Sequence, residues 1–277
     1  MSNIYITKSD GTEELFKKEK LEDSLKRAGA RGAEIKEILE HLGRELVSGM
    51  STSDIYKHAF ALLQKFESPA AAKYSLKRAV MELGPSGFPF EKFVAEILKD
   101  KGYKTETNLM LRGSCIEHEI DVLAINKNKF VIIEAKFHND QGIKTDSKVP
   151  LYVNSRIEDL RKSNFDGRKP NNLKDEPWII TNTKFSGSAK AYGKCIGIKM
   201  IDWNFPRGES LRELIEDSGL HPLTCLTTLS KKEKGELLLK GVSISKHLTD
   251  NIELLRSIGI NSARISKVIN EINNLKR

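Results

Sequence analysis

Several chemistries are closed off by what this sequence does not contain. Its three cysteines, Cys115, Cys195 and Cys225, are far apart, and no Cys-x-x-Cys or Cys/His ligand spacing joins them. No zinc site is expected, and a reducing compartment is implied. No apolar run approaches the roughly 20 residues that a membrane helix needs, so no membrane partner is expected. Met1-Ser2-Asn3-Ile4 is not a charged segment leading into an apolar stretch. No signal peptide is therefore evident, and a cytoplasmic location is expected. Internal repeats and low-complexity segments are missing too. So is a Walker A sequence, which excludes nucleotide hydrolysis through P-loop chemistry.

What is present is basic. Lys and Arg number 46 against 38 Asp and Glu, a formal net charge of +8. That balance favours a polyanionic partner such as nucleic acid. A length of 277 residues predicts two domains with an appendage. The strongest breaker is Gly84-Pro85-Ser86-Gly87. Three regions follow: 1–84, 85–222 and 223–277.

In the first region, short strands over 4–7 and 13–16 flank Ser9-Asp10-Gly11, a good turn. Helical patterns occupy 20–28, 33–48, 53–66 and 70–82. Ser51 or Ser53 caps the third, and Ser68-Pro69 opens the fourth. In the second region, Pro89 sits where a first-turn proline is tolerated. Phe90, Phe93, Val94, Ile97 and Leu98 then form an apolar stripe at helical spacing. Strands are predicted over 105–111, 116–125, 130–137 and 178–181. A helix around 189–195 and a strand over 198–203 follow. The third region predicts helices over 231–240, 245–258 and 262–275.

The chemistry concentrates in a hairpin. Two apolar runs, the first containing Asp121 and the second ending Glu134-Ala135-Lys136, flank Asn126-Lys127-Asn128-Lys129. A two-residue turn at Lys127-Asn128 places Asp121 opposite Glu134 and Glu119 opposite Lys136. Directly opposed residues have Cβ atoms roughly 4.5–5.5 Å apart. Two carboxylates there repel each other within apolar strands. Either a shared proton or a divalent cation compensates them, and hard oxygen ligands suit Mg2+ or Mn2+. Lys136, two residues beyond Glu134, would contact a scissile phosphate or help deprotonate the attacking water. A strand emerging into solvent also reads Glu-x-Lys; the acid across the hairpin is what separates the two cases. Glu91, flanking the apolar stripe of its helix, is the third acid able to reach the site, whereas Glu96 points away. Glu91 equally suits the positive helix N-terminus.

These residues resemble the PD-(D/E)XK nucleases, more specifically the Mrr-like, type IV restriction endonuclease-like group, over about 87–222. The resemblance implies a mixed sheet flanked by helices. It also implies metal binding by Asp121 and Glu134, assistance by Lys136, and a helix glutamate at Glu91. His138, Lys144, Lys148 and Arg156 read as solvated loop charge, with DNA phosphate as the alternative partner.

Residues 3–83 are similar to an ATP-cone, a small helical regulatory domain capped by a β-hairpin. The residues that carry this are Ile6-Thr7-Lys8-Ser9-Asp10-Gly11, Glu14, Lys20-Leu21 and Ala72 to Arg78. The resemblance implies binding of ATP or dATP with Thr7, Lys8, Glu14, Lys20 and Lys77 near the ligand. Lysines are sensible phosphate partners. The usual Lys-Arg-Asp-Gly hairpin is Lys8-Ser9-Asp10-Gly11 here, which removes a planar, multidentate donor.

The fold class expected is therefore α/β (α+β): a helical ATP-cone with a hairpin, a restriction-endonuclease-like sheet, and a helical tail. The function expected is a nucleotide-regulated, divalent-metal-dependent DNA endonuclease, in restriction or defence by resemblance. The alternative is a non-catalytic, nucleotide-gated DNA-binding or regulatory protein. Lys231, Lys232, Lys234, Lys240 and Lys246 suit the tail to DNA backbone, with a second subunit, and so a homo-oligomer, as the other partner.

Overall fold

The computed structural model describes residues 4–8, 11–66 and 70–275. The Ser9-Asp10 part of the predicted turn and Ser68-Pro69 lie outside them. The chain begins with an antiparallel pair, β1 (Tyr5–Thr7) and β2 (Glu13–Leu15), in which Ile6 faces Glu14. The helices α1 (Lys18–Arg27), α2 (Gly32–Glu45), α3 (Thr52–Lys65) and α4 (Ala70–Tyr74) follow. Ser51 is the residue that caps α3, accepting the Asp54 N–H at 3.1 Å. Leu25, Ile38, Leu42, Ala59 and Leu63 form the bundle core with Ile6 above them.

The helix predicted over 70–82 is broken. Its second half is α5 (Leu76–Met81). Ser75, at φ −80° and ψ 0°, is the joint. Two cores pull on this segment. Ala70 and Ala71 pack into the N-terminal bundle, whereas Leu76, Ala79 and Val80 pack against the central sheet. Local propensity favours one helix; burial on two different bodies overrides it.

That central body starts with α6 (Phe88–Asp100), which has a proline in its first turn and turns off through Gly102 at φ +83°. A five-stranded sheet follows: β3 (Lys104–Arg112), β4 (Glu117–Ile125), β5 (Phe130–Lys136), β7 (Asp175–Thr181) and β9 (Lys199–Ile201), in that spatial order. The first three strands are antiparallel and the last three parallel, giving a mixed sheet. A small parallel pair, β6 (Lys144–Thr145) with β8 (Lys184–Phe185), sits apart. Three helices complete this body: α7 (Lys148–Lys162), α8 (Gly187–Ile196) and α9 (Leu211–Ser218). α6 and α9 cover one face of the sheet; α7 and α8 cover the other.

Neither α7 nor α9 was expected. In α7 the residues Pro150, Val153, Ile157 and Leu160 are buried at helical spacing, but charged and polar residues surround them. α9 carries a reciprocal cap, Ser210 with Glu213, a motif that marks a helix start.

The tail comprises α10 (Lys231–Leu239), α11 (His247–Asp250), α12 (Glu253–Arg256) and α13 (Ser262–Leu275) around their own core. The helix predicted over 245–258 is interrupted at Asn251, at φ −141° and ψ 85°. The tail docks on the central body: His247 lies 3.4 Å from Glu96, and Thr224 donates to the Ala79 carbonyl at 2.5 Å. Lys234 is committed internally, donating to the Thr224 carbonyl at 3.0 Å, so it is not one of the exposed tail cations. Among the described residues no helix is long and apolar enough to cross a membrane.

Candidate active site

Asn126 builds the turn that sets the hairpin register. Its side-chain oxygen accepts the N–H groups of Asn128 and Lys129, each at 2.9 Å, and its own N–H donates to the Lys129 carbonyl at 3.0 Å. Ile125 therefore faces Phe130, and the ladder runs without slip to Val122 facing Ile133. One step further, backbone pairing gives way to a side chain: the Ala135 N–H donates to the Asp121 carboxylate at 2.7 Å. β5 keeps its full pairing to β7 on the other side, through Lys136 facing Thr181. The hairpin thus opens at Asp121, and its carboxylate occupies the opening.

The other neighbour of β4 contributes to the same distortion. Asn108 of β3, the register partner of Asp121, adopts φ +56°, and the paired residues resume at Leu109 facing Ile120. Strict alternation would put Ile120 and Val122 on one face. Instead Ile120 packs on the α7 side and Val122 on the α6 side. The local break resembles a bulge in its effect, since it re-aims one side chain.

Glu134 and Glu91 are the acids that act on Asp121 at this opening. Burial and the charges of Glu134 and Glu91 push the Asp121 carboxyl up to about 7, against the Ala135 N–H and Arg156. Glu91, in the first turn of α6, is also raised, by burial and by Glu119 and Glu134. Glu91 therefore belongs to the acid cluster. Glu96, as expected from helix geometry, turns elsewhere and pairs with Lys99 and His247.

The compensating cation at Glu134 is Arg156, which the sequence treated as loop charge. It donates to Glu134 at 2.6 Å and to the Tyr152 hydroxyl at 2.5 Å, and its guanidinium lies 4.5 Å from the Tyr152 ring centroid. Both Arg156 and Glu134 are largely shielded from solvent. The Arg156 Nε is buried without a hydrogen-bond partner. The available signal was Tyr152-x-x-x-Arg156, one helical turn apart, on an element whose apolar spacing was missed. Lys136 ends β5, half-buried. Its charge, after burial, helps hold the His138 imidazole below its usual range.

Glu134 and Glu91 beside Asp121, against the one guanidinium of Arg156, leave Asp121 under net repulsion. Hard carboxylate oxygens beside a carboxyl forced toward neutrality fit a divalent cation. Among the described residues no three His, Cys, Asp or Glu side chains are arranged as a ligand set. A cation here would rest on Asp121 and Glu134 with water or phosphate oxygens, the manner in which Mg2+ is commonly held.

In the N-terminal region, Lys8 and Lys20 both pair with Glu14. Together, Lys20 before Lys8, they hold its carboxyl down to about 2. Thr7 lies alongside, bridged to Ser51 and donating from its N–H to the Met50 carbonyl at 3.1 Å. Lys77 does not join them. It lines a separate cavity together with Lys184 and Arg212.

Comparison with known proteins matches three stretches of the chain. Residues 4–80 match the ATP cone domain, 86–175 the nuclease-related domain, and 221–276 the domain described as AF1548-like, C-terminal. An uncharacterized protein of Archaeoglobus fulgidus is 36% identical over 179 residues, which span 64% of this chain and 97% of that protein. The crystal structure of the protein of unknown function AF1548 superposes with a TM-score of 0.56 at 34% identity, covering 69% of this chain and 98% of that one.

Proposed function

Because the chain belongs to the AF1548-like family and joins an ATP cone to a nuclease-related domain, we propose that it is a nucleotide-regulated DNA endonuclease that uses a divalent cation. The observation carrying this reading is the opening of the hairpin after Val122 faces Ile133, where the Asp121 carboxylate takes the Ala135 N–H at 2.7 Å and Glu134 is held by Arg156 at 2.6 Å.

Asp121 and Glu134 would hold the cation, which supplies Lewis-acid polarisation of a phosphate oxygen and a more acidic water. The protein's own groups do the rest. The Ala135 N–H fixes the orientation of the Asp121 carboxylate. Arg156, braced by Tyr152, fixes Glu134 and offsets part of the repulsion. Lys136 contacts the scissile phosphate or helps remove the proton from the attacking water. Glu91, its carboxyl raised above the usual range by burial and by Glu119 and Glu134, would assist proton exchange with water near the site. Water attacks phosphorus, the ester P–O bond breaks, and the leaving oxygen takes up a proton. The cone's Lys8–Glu14–Lys20 cluster would receive the nucleotide phosphates.

A second reading, a nucleotide-gated DNA-binding protein without catalysis, is favoured by one observation: Arg156 already neutralises Glu134. A plasmid cleavage assay with Mg2+ or Mn2+, with and without ATP and dATP, decides between them. Cleavage that disappears in Glu134→Ala supports the enzyme. Cleavage that persists in the variant marks a contaminant, and plasmid retention without cleavage supports the binding protein.

A further inference from the structure

A cavity of about 580 Å³ lies where the three regions of the chain meet. That is nucleotide-sized, within the roughly 300–1,000 Å³ of small-ligand sites. Its charged lining is one-sided. Arg27 and Lys73 come from the N-terminal bundle, Lys77 from α5, Lys184 from β8 and Arg212 from α9, against Glu216 as the acid. Five cations lining one concave space against a single acid repel each other, which favours an anionic ligand there.

Compensation from within is partial: Glu216 interacts with Arg212 and Arg27, leaving Lys73, Lys77 and Lys184 without an acid in the lining. Burial and the charge of Lys184 hold the Lys77 ammonium below the usual lysine range. Asp202, the acid opposing that shift, is itself paired with Lys190 at 2.9 Å and also accepts the Phe185 and Asn204 N–H groups. Arg212 reaches Glu213 only at 3.8 Å, and its Nε is buried without a hydrogen-bond partner. The site also has a rigid aromatic wall. Tyr56 and Tyr74 stack with ring centroids 4.9 Å apart and nearly parallel planes, and Trp203 also lines the cavity.

We propose that this cavity binds a small ligand carrying two or more phosphates, at a site separate from the Lys8–Glu14–Lys20 cluster. The ligand's phosphates bridge Arg27 and Lys73 of the N-terminal bundle to Lys184 and Arg212 of the sheet domain. Occupancy therefore ties the two domains together. Multidentate charge-assisted contacts of this kind are the strong ones. The proposal does not depend on DNA cleavage.

Calorimetric titration of the full chain with sodium tripolyphosphate, and separately with ATP, tests it. Tripolyphosphate should keep a binding site in the Lys8→Gln/Lys20→Gln variant, the one lined by Lys77 and Lys184. It should bind Lys77→Gln/Lys184→Gln at least about 10-fold more weakly. Lys184 is exposed, so Lys184→Glu alone is a variant that keeps its fold, checked by its melting temperature, and it should weaken binding too. A Lys184-sensitive ATP affinity well above that of tripolyphosphate identifies a nucleotide as the ligand; equal affinities identify inorganic polyphosphate. Binding that survives the Lys77 and Lys184 changes, or is lost with Lys8 and Lys20 instead, overturns the proposal. So does binding of a single-stranded oligonucleotide, but no tripolyphosphate, through Lys77 and Lys184.

Discussion

Helix α7 borders two aspartates that are treated in opposite ways. Asp159, on the helix, is saturated: its carboxylate accepts the Cys115 N–H at 2.9 Å and the Ile116 N–H at 3.3 Å, and the His118 Nε2 lies 2.9 Å away. His118 above all, with these N–H groups, holds its carboxyl well below the usual range. Asp121, across from Arg156 of the same helix, accepts one backbone N–H, faces two further acids, and is pushed up to about 7. One carboxylate clamps the loop before β4 to α7; the other is kept destabilised at an open strand. Stored electrostatic strain of the second kind marks functional sites more often than structural ones.

The comparison is broken most severely by removing the acids. Asp121→Ala and Glu134→Ala should each lower plasmid cleavage by at least about 100-fold, beyond the range over which groups supporting a metal ligand act, while Asp159→Asn leaves cleavage per folded molecule within about two-fold. Arg156→Gln is predicted to lower cleavage by roughly 10-fold. It should also move the acidic limb of the pH–rate profile upward, since Arg156 opposes the rise at Asp121; a profile left in place would remove Arg156 from the site.

Stability separates the two aspartates by sign. Between the ordinary aspartate value and about 7, the native protein holds a proton on Asp121 that the unfolded chain has released. Stability therefore falls as pH rises through that window. Without added metal, Asp121→Asn should stabilise the protein at pH 8 by on the order of 2 kcal/mol and have little effect near pH 4. Asp159 is depressed, so its contribution is present above the ordinary carboxylate value and lost as pH falls through the lower folded value. Asp159→Asn should lower the melting temperature at pH 7, by an amount that shrinks on acidification. Thermal scans across pH read both, and shifts of the same sign would end the contrast. Smallest of all, 5 mM-scale magnesium, roughly the excess needed for a weak two-carboxylate site, should raise the melting temperature of the parent at pH 8 but not that of Asp121→Asn.

Much of the acid pair was legible because a short turn fixes register and register fixes opposition. A two-residue turn at Lys127-Asn128 predicts Asp121 across from Glu134, and the observed pairing keeps that register as far as Val122 facing Ile133. The opening of the hairpin was not legible. It depends on Asn108 adopting φ +56° in the neighbouring strand, which no alternation rule anticipates, and on a side chain replacing a ladder acceptor. Arg156 was hidden for a different reason: a polar sequence and Pro150 obscured α7, although Val153, Ile157 and Leu160 keep its apolar spacing. The break at Ser75 comes from packing on two separate bodies, a tertiary effect. The family relationships at 4–80 and 86–175 agree with the short motifs that suggested them, because hairpin-plus-bundle and acid-plus-Glu-x-Lys patterns are local in sequence.

Calorimetric titration of Mn2+ into the full chain at pH 8 tests the central claim most directly. The account predicts saturable uptake at one site per chain, lost in Asp121→Asn. No uptake, or uptake unchanged by the substitution, would contradict it.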